Sequence, residues 1–440
     1  MTVLQFGLTP KAKAVSPKRS ALVAALDVGT SKVACLIARL KPQAAHDVLR
    51  QRSHTIDIIG FGHTSARGIK GGAVVDLQAA EEALRQAIDV AERSAKLQLE
   101  SVMVSISAGK PASELMSASV TVSGSTVADH DIARVMAAGS RHSSRPGRAV
   151  LHSLPIGYSL DGVSGIRDPR GMLGRSFGID MHVMTAEMSV IRNLIYAIES
   201  CHIDVASMVA SPYAAALSAL AGDEGDLGAA LIDMGAGTTT MAVFSGGRFV
   251  HGDGFALGGH HVTMDIARGL NTRIADAERI KTLYGSVLSG GSDERDMISV
   301  PPVDHDERDA PQYVSRAQLV RIVKPRIEEI LEMVRDRLAA SPFAAEPRAR
   351  VVLTGGACQL TGLPELATQI LGRPVRIGRP LGIGGLPEEA KGPAFAVSTG
   401  LLVYPQLAHL EPSEPRSTRH SMTGTGGYFA RVGRWLRESF

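Results

Sequence analysis

Two short stretches of the sequence place an aspartate, glycines and hydroxyl residues in the same order. In each, an apolar run reaches the aspartate and a turn with glycine and hydroxyl residues follows, over Asp27 to Lys32 and over Asp233 to Thr240. Glycine reaches backbone angles closed to other residues, and successive amides in such a turn can surround a phosphate. Each stretch predicts a strand, turn and strand that bind phosphate, with its aspartate placed to hold a metal ion through water.

A single hairpin of this kind is more often an ordinary turn, because most short motif matches are false positives. Here the two copies lie about 200 residues apart, as two similar domains closing on one ligand would place them. A third element follows, a buried strand that runs from Arg350 into Gly355 and Gly356. Glycines there would let a flat base lie close to the main chain. The three segments together predict a nucleotide site between two lobes.

These segments resemble the phosphate-1, phosphate-2 and adenosine motifs of the actin/Hsp70/sugar-kinase ATPases. Within that superfamily the sequence most resembles FtsA, the actin-like bacterial cell-division family, from about Ala21 to Phe440. The loop over Gly68–Asp76 and the segment over Gly258–Lys281 also match the family's pattern. The resemblance implies an α/β fold, an actin-like ATPase of two lobes with an inserted α+β subdomain (1C) in the first lobe.

The resemblance also assigns roles to individual residues, with ATP and Mg²⁺ as the implied cofactors. Asp27 and Asp233 would hold Mg²⁺ through water. The implied ATP-binding residues are Gly29, Thr30, Ser31, Lys32, Gly235, Gly237, Thr238, Thr239, Glu278, Lys281, Gly355, Gly356 and Ala357. Where related filament-forming ATPases carry an acid or amide that positions water, this chain has Ser211. A hydroxyl is a poor general base, so no catalytic residue is assigned and hydrolysis is expected to be slow or absent.

The composition is that of an ordinary globular protein. The chain has 440 residues, enough for two to four domains, and a net charge of +3, which gives no sign of a nucleic-acid partner. Its three cysteines are isolated and odd in number, so they indicate neither a disulfide framework nor a metal site. No secretory signal or apolar run long enough to span a bilayer is present.

Changes in sequence composition divide the chain into seven regions. Residues 1–20 are expected to be a disordered basic tail, and residues 405–427 a flexible linker rich in Pro, Ser and Gly. The expected folded parts are the first lobe (1A) at 21–100 and 183–225, the inserted subdomain 1C at 101–182, the second lobe (2A) at 226–270 and 345–404, and subdomain 2B at 271–344. Residues 428–440 form the seventh region.

Subdomain 2B contains a long amphipathic helix that starts after Ser315 and Gln318, a capping-box pair. Pro325 is expected to kink or divide it. By resemblance this subdomain binds the acidic C-terminal peptide of FtsZ, with Lys324 and Arg326 as candidate contacts. For either residue taken alone, a solvated helix face is the more common role.

Residues 428–440 have the pattern of a membrane-targeting amphipathic helix. At about 100° per residue, one arc collects the apolar residues Tyr428, Phe429, Val432, Trp435, Leu436 and Phe440, and the basic residues Arg431, Arg434 and Arg437 fall largely outside it. Such a helix can lie in a lipid interface, although many amphipathic helices instead dock on a protein core. The preceding linker favours the membrane, and FtsA proteins end in this kind of helix.

The resemblance therefore implies a peripheral protein at the division site, on the cytoplasmic face of the bacterial inner membrane. It would bind anionic lipid, tether FtsZ filaments, self-associate into filaments or oligomers and recruit later division proteins through 1C. One alternative is a pilus-assembly scaffold of the PilM type, which shares the fold and the insertion but lacks the tail. Another is a small-molecule kinase of the same superfamily, for which the sequence shows no clear carboxylate base.

Overall fold

The structure is a computed structural model that describes residues 9–43, 52–141, 145–303 and 312–411. The first lobe begins with a meander of three long strands, a short hairpin, a helix and a strand that returns to the sheet. These elements are β1 (Ala21–Val28), β2 (Lys32–Pro42), β3 (His54–Ser65), β4 (Ile69–Lys70), β5 (Ala73–Val74), α1 (Leu77–Ala95) and β6 (Ser101–Ile106).

Helix α1 shows how local sequence determines the first lobe. Its buried positions, from Ala80 to Ala91, recur every three or four residues, and Asp76 caps its first turn by accepting a hydrogen bond from the amide of Ala79. The helix lies directly on β3, where a Cβ at Gly60 or Gly62 would overlap the helix backbone. These two glycines thus allow the close helix–sheet packing that keeps the first hairpin on a rigid base.

The insertion is a separate sheet with a helix on one face and a core of its own. Its elements are β7 (Ala112–Thr121), α2 (Asp129–Arg141), β8 (Arg148–Leu160), β9 (Val163–Ile166) and β10 (Ser176–Glu187), and its strand order is β7-β10-β8-β9. All neighbouring strands in it are antiparallel. An inserted α+β subdomain in the first lobe was predicted, and this part of the fold prediction is confirmed.

The predicted start of the insertion at residue 101 is wrong. Strand β6 lies in the central sheet of the first lobe, parallel to β1, and is buried from Val102 onward. Its alternation of apolar residues with Ser101 and Ser105 suggested a half-buried strand. Ser105 is nevertheless buried, because its hydroxyl contacts the first aspartate, as described below.

After the insertion the chain completes the first lobe and enters the second. This part consists of α3 (Met188–Glu199), β11 (Asp204–Ala210), α4 (Ser211–Ala219), α5 (Glu224–Leu227), β12 (Ala229–Met234), β13 (Thr239–Ser245) and β14 (Arg248–Phe255). Helix α4 lies between the lobes and is buried along nearly its whole length. Strands β12, β13 and β14 repeat the antiparallel meander of β1, β2 and β3.

The remaining elements form subdomain 2B, the rest of the second lobe and a return to the first lobe. They are α6 (Gly259–Gly269), α7 (Ile274–Tyr284), β15 (Met297–Val300), β16 (Gln312–Ser315), α8 (Arg316–Ala339), β17 (Arg350–Thr354), α9 (Leu363–Leu371), β18 (Val375–Ile377), β19 (Ile383–Gly384) and α10 (Ala396–Val403). Ser315 caps α8 as predicted, but the helix continues through Pro325 as one element instead of dividing there.

Each lobe is built on one mixed sheet. The sheet of the first lobe has the order β11-β6-β1-β2-β3-β19, and the sheet of the second lobe has the order β14-β13-β12-β17-β18. Parallel strands flank β1 and β12 on one side, β6 in the first lobe and β17 in the second. The aspartate-bearing strands are therefore interior strands of both sheets, and their carboxyl ends meet at the junction of the lobes.

The end of the described chain lies on the first lobe, so the prediction that 345–404 belongs wholly to the second lobe is wrong. Strand β19 pairs with β3, and α10 crosses α4 so closely that a Cβ at Gly400 would overlap the carbonyl of Ala214. Residues Tyr404–Gln406 and Ala408–Leu410 form buried or partly buried 3-10 turns. The flexible linker predicted from residue 405 therefore starts no earlier than residue 412.

Residues 9–20 are also ordered against the protein, contrary to the prediction of a disordered tail through residue 20. The hydroxyl of Thr9 donates to the carbonyl of Val150, and the carbonyl of Pro10 accepts a hydrogen bond from the amide of Met208. The amide of Val15 donates to the carbonyl of Pro405. This N-terminal segment thus contacts the insertion, the first lobe and the end of the described chain, all of which are distant in sequence.

Candidate functional site

Both aspartate hairpins close with the same turn. In the first, the amide of Gly29 donates to the carbonyl of Lys32 over 3.0 Å, and in the second the amide of Gly235 donates to the carbonyl of Thr238 over 2.9 Å. Asp27 pairs with Ala34 across its hairpin, and Asp233 pairs with Thr240 across the other. The repeated sequence pattern thus corresponds to a repeated structure, with one aspartate at the end of each first strand.

The tips of the two hairpins touch each other. A Cβ at Gly237 would lie 2.9 Å from the Cβ of Thr30, so only glycine fits at this position. Neither Gly235 nor Gly237 has a positive φ, so the sequence argument gave the wrong reason for these glycines. Gly237 is required because the first hairpin approaches it closely, not because the turn needs unusual backbone angles. At Gly235 a Cβ would lie 3.1 Å from the carbonyl oxygen of Thr238 in the same turn.

The tips leave amides available for a ligand. Within the described residues, no hydrogen bond is formed by the amides of Thr30, Ser31, Ala236 or Gly237. The amides of Gly29 and Gly235 are used to close the turns. The hydroxyl of Thr239 donates to the carbonyl of Leu257 and so holds the loop that follows β14. The hairpins therefore present mainly backbone donors to an anion, as a phosphate-binding nest does.

The two aspartates form a strained electrostatic group with Lys32. Burial raises the pKa of Asp233 to about 7, with a further contribution from the charge of Asp27, and burial also raises the pKa of Asp27. Burial lowers the pKa of Lys32, although both aspartates act against this. One lysine faces a buried carboxylate, Asp233, and a partly buried one, Asp27. The site therefore has a deficit of positive charge that a divalent cation would relieve.

Lys32 lies over a segment that the sequence analysis did not connect with the site. Its ammonium group donates to the carbonyl of Ala394 and lies 3.4 Å from the centre of the Phe395 ring. Both residues belong to the short segment before α10 that brings the chain back to the first lobe. Because the two partners follow Lys32 by more than 360 residues, no local pattern could reveal this contact.

Ser105 and Gly72 are further site residues that the sequence analysis missed. The Ser105 hydroxyl donates to Oδ1 of Asp27 over 2.7 Å and accepts a 3.3 Å hydrogen bond from the amide of Val28. The amide of Gly72 donates to the hydroxyl of Thr30 over 3.1 Å. Ser105 thus orients the first aspartate, and Gly72 ties the β4–β5 loop to the first hairpin.

The third predicted segment meets the second hairpin directly. Gly355 has a φ of +88°, and a Cβ there would lie 2.5 Å from Oδ1 of Asp233. Glycine is required on both grounds, since a side chain would be strained and would displace the carboxylate. Gly356 and Ala357 follow in a 3-10 turn over Gly356–Gln359. Ala357 comes near the start of α6, where a Cβ at Gly259 would lie 3.0 Å from it.

Glu278 and Lys281 lie on α7 beside this turn. The Lys281 ammonium donates to the carbonyl of Gly259, to the hydroxyl of Thr263 and, over 2.7 Å, to Glu278. Burial tends to raise the pKa of Glu278, but its hydrogen bonds with Lys281 and Thr263 lower it overall. Glu278 is half exposed. The Glu278–Lys281 pair lies at the edge of the surface formed by Gly259, Gly355 and Ala357, where a ligand could contact a carboxylate and an ammonium group.

The structure therefore brings together the predicted site residues of both lobes. The hairpins supply free amides, Lys32 and two carboxylates. The Gly355–Ala357 turn supplies a surface with few side chains, and Glu278 and Lys281 of α7 border it. This set of donors fits a nucleotide with a divalent cation. Phosphates would meet the amides, the cation would lie near the aspartates, and the base would lie against glycine backbone.

Two lobes with repeated hairpins that close on one site define the actin-like class of folds. Comparison with solved structures agrees. The structure of the PilM–PilN type IV pilus biogenesis complex matches with a TM-score of 0.58 and 16% identity, over 87% of this chain and 98% of that one. MreB5 of Spiroplasma citri bound to ADP matches with a TM-score of 0.51 and 15% identity, over 88% and 97%. At these identities the likeness concerns the fold alone, and it confirms the predicted actin-like architecture.

Sequence comparison identifies the family. The family "Cell division protein FtsA" matches residues 230–400, and the family "SHS2 domain inserted in FTSA" matches residues 108–185. The cell division protein FtsA of Agrobacterium fabrum is 52% identical over 436 residues, 99% of this chain and 98% of that protein. FtsA of Escherichia coli K12 is 31% identical over 426 residues, 95% and 98% of the two chains. The chain belongs to the FtsA family of cell division proteins, as the sequence analysis predicted.

Proposed function

We propose that this protein binds ATP with Mg²⁺ between its lobes. The observation that carries the proposal is the contact of the two hairpin tips beside the paired aspartates. The free amides of the two turns would bind the phosphates together with Lys32; they are those of Thr30, Ser31, Ala236 and Gly237. Asp27 and Asp233 would hold Mg²⁺ through water. Mg²⁺ supplies the positive charge that two carboxylates and a triphosphate require in a buried site.

The adenosine part of the nucleotide would lie on the second lobe. Gly355, Gly356 and Ala357 leave room for a flat base, and Glu278 and Lys281 border that space. MreB5 of Spiroplasma citri, which shares this fold, has been solved with ADP and also bound to AMPPNP. That likeness supports a nucleotide as the ligand of the corresponding site in this chain.

Hydrolysis is proposed to be slow, with the nucleotide serving mainly as a conformational switch. Ser211 begins α4 and is buried. Its hydroxyl is a weak base at neutral pH, and Asp27 and Asp233 are assigned to the cation. A small-molecule kinase would need a further carboxylate near the phosphate hairpins as a general base. Among the described residues we assign none, and this disfavours a kinase.

The proposed attachment to the membrane rests on residues 428–440, which lie outside the described residues. Their apolar arc consists of Phe429, Val432, Trp435, Leu436 and Phe440 with Tyr428, and Arg431, Arg434 and Arg437 can each add about 1 kcal/mol near anionic lipid. Within the described ranges, no helix has the length and apolar character needed to cross a bilayer. The proposal is thus a peripheral protein at the division site, held by one interfacial helix per chain.

Removing residues 428–440 tests this attachment. We expect co-sedimentation with vesicles of phosphatidylglycerol and phosphatidylethanolamine to fall at least tenfold, because the apolar arc and its three arginines are lost together. The substitution Trp435→Glu should have nearly the same effect, since it places a charge within the arc. Glu438→Gln, outside the arc, is the matched control and should keep or increase binding. Undiminished sedimentation of the truncated chain would contradict the proposal.

The proposed contact with FtsZ lies on α8. Arg326 forms ion pairs with Asp265 over 2.6 Å and with Glu329, and its side chain is 27% exposed. Lys324 is more exposed, at 44%, and its 3.7 Å pair with Glu328 is weak. An acidic FtsZ peptide would therefore meet Lys324 readily, but at Arg326 it would have to compete with Asp265.

Peptide binding by charge-reversal variants tests this surface. We expect Lys324→Glu to weaken binding of a fluorescent peptide from the FtsZ C-terminus about five- to tenfold, in fluorescence anisotropy at moderate salt. Arg335→Glu is the matched control, since it changes a basic residue on the later part of the same helix, 47% exposed. Arg326→Glu should also weaken binding. Equal loss from Arg335→Glu and Lys324→Glu would show a general charge effect and would refute a specific contact.

The inserted subdomain is proposed to serve self-association and contact with later division proteins. Its sheet has two edge strands, β7 and β9. Apolar side chains are exposed on or beside these edges, at Leu115, Val163 and Leu173, and exposed strand edges readily pair with other chains. A pilus scaffold of the PilM type would share such an insertion, but the 52% identity to FtsA of Agrobacterium fabrum disfavours that alternative.

A further inference from the structure

Strand β14 of the second lobe contacts the insertion over much of its length. The Ser113 hydroxyl on β7 donates to the carbonyl of Gly252 and accepts from the amide of the same residue, both over 2.7 Å. Arg248 donates to the carbonyl of Ile156 on β8. A Cβ at Gly252 would lie 2.9 Å from the Sδ atom of Met184 on β10. The insertion therefore covers the free edge of the second lobe's sheet.

A buried group of aromatic and histidine side chains fixes this contact. Phe249 of β14 stacks on Tyr213 of α4, with ring centres 4.8 Å apart and planes 12° apart. It also meets the edge of His182 from the insertion, with ring centres 4.6 Å apart. His182 in turn lies 2.8 Å from the Ser113 hydroxyl. Phe249 is thus held between the first lobe and the insertion, although it belongs to the second lobe.

Burial keeps His182 neutral at pH 7. Burial lowers the pKa of His182 to about 3, and the nearby histidines His251 and His152 act in the same direction. The Ser113 hydroxyl donates its only hydrogen to Gly252, so it accepts from Nε2 of His182, which must carry the proton. Ser113 therefore joins His182 of the insertion to Gly252 of β14 in one hydrogen-bond network.

The other end of β14 is tied to the phosphate hairpin. Thr239 and Thr240 pair with Phe255 and Gly254 across the β13–β14 ladder. After the strand, the amides of Gly259 and His260 donate to the carbonyls of Gly235 and Ala236 at the hairpin tip. A rearrangement of the hairpin around a ligand must therefore displace β14 or break these hydrogen bonds.

We propose that β14 transmits the state of the nucleotide site to the inserted subdomain, so that the position of the insertion depends on the bound nucleotide. This inference rests on the proposed binding of ATP at the hairpins. Asp253 extends the connection, because both of its carboxylate oxygens accept hydrogen bonds from Nη1 of Arg337 on α8, at 2.8 and 2.7 Å. One strand thus joins the nucleotide site, the insertion and the helix of subdomain 2B.

Hydrogen–deuterium exchange of the full chain with and without ATP and Mg²⁺ tests the inference. In the unmodified protein we expect slower exchange in peptides covering the second hairpin (229–245) and a changed rate in the insertion (148–160 and 176–187). In the Ser113→Ala variant the hairpin response should persist, while the response of the insertion should fall at least threefold. Ser117→Ala is the matched control, because its hydroxyl contacts only Asp180 within the insertion.

Phe249→Leu is a second variant that keeps a large apolar side chain but removes the stacked ring, and it should show the same loss of response. An insertion that responds equally in Ser113→Ala, Phe249→Leu and Ser117→Ala would overturn the inference. So would a protected hairpin with no response of the insertion in the unmodified protein. If the hairpin itself gains no protection, the proposed nucleotide binding fails, and the inference fails with it.

Discussion

Asp233→Asn is expected to stabilise the nucleotide-free protein and to abolish its stabilisation by ATP with Mg²⁺. At pH 7.5 the free energy of unfolding should rise by about 2–4 kcal/mol, since a shift of about three pKa units corresponds to about 4 kcal/mol at most. In the unmodified protein, ligand at 100 times its dissociation constant should add about 2.7 kcal/mol. In the variant this increment should fall below about 1 kcal/mol.

Asparagine should stabilise the fold because Asp233 is a buried carboxylate beside a second carboxylate, Asp27. Burial and Asp27 raise its pKa to about 7, above the ordinary value of 3.8. A raised folded-state pKa means that the protonated form suits the fold, so the stability it contributes is lost as pH rises through about 7. Asparagine keeps the neutral shape at every pH, but it has no charge to offer to Mg²⁺.

Thermal unfolding with and without ATP and Mg²⁺ checks both parts of this prediction. Asp57→Asn is a suitable control, because Asp57 lies at the surface of the first lobe on β3 and forms a weak 3.9 Å pair with Lys41. It should change neither the stability nor the ligand response appreciably. A less stable Asp233→Asn protein that still responds to ATP would contradict the described site.

Glu411→Ala should be the most destabilising single change near the end of the described chain, at about 3–5 kcal/mol. Glu411 is buried and forms an ion pair with Lys11, a 2.8 Å contact with His152 and a 2.9 Å hydrogen bond from Tyr404. The amide of Ala210 donates to Nε2 of His152, so neutral His152 carries its proton on Nδ1 and donates it to Glu411. The variant leaves three buried or half-buried polar groups without their partner.

The pH dependence of this effect has a defined sign. Burial would raise the pKa of Glu411, but Lys11 and His152 outweigh it and lower the pKa to about 2, against an ordinary value of 4.5. Its ionised form therefore stabilises the fold above pH 4.5, and this contribution is lost as pH falls towards 2. Burial also lowers the pKa of His152, so protonation of this side chain at low pH destabilises the fold as well.

Urea unfolding at pH 7.5 measures the loss, and a repeat at pH 4 should give a smaller difference between the two proteins. Glu388→Ala is the control, because it removes a carboxylate of similar position in the sequence that is 88% exposed. A loss below about 1 kcal/mol for Glu411→Ala, equal to that of the control, would show that residues 404–411 contribute little to the fold.

The hairpins could be predicted because their signal is local. An apolar strand, an aspartate and a glycine turn specify each hairpin within a dozen residues, and the duplication of the pattern predicted that two lobes share one site. The reason for Gly237 could not be deduced in the same way. It is required by the contact with Thr30, which belongs to the other lobe.

The contacts that complete the site are long-range, so sequence patterns do not reveal them. Ser105 was interpreted as the polar position of a half-buried strand, whereas it orients Asp27 from the neighbouring strand of a buried sheet. Ala394 and Phe395, which contact Lys32, were assigned only to a connecting helix. In each case the residue type fits an ordinary structural role, and only the topology brings it to the site.

The ends of the described chain were mispredicted for a related reason. Basic and polar composition suggested that residues 9–20 and the residues from 405 onward would be flexible. Lys11 and Glu411 are instead placed together in a low-polarity environment, where each satisfies the charge of the other. Composition indicates whether a segment can form a core of its own, but it does not indicate whether the segment packs against an existing core.

The central claim is that the two hairpins bind one nucleotide, and a double-mutant cycle tests it most directly. Titration of ATP with Mg²⁺ should give one site per chain in the unmodified protein, and Asp27→Asn and Asp233→Asn should each weaken binding at least tenfold. If both aspartates hold one cation, the double variant should bind about as weakly as the weaker single variant, because the two losses are coupled. Strictly additive losses would contradict a shared cation. Binding that neither substitution affects would show that the hairpins do not share a ligand.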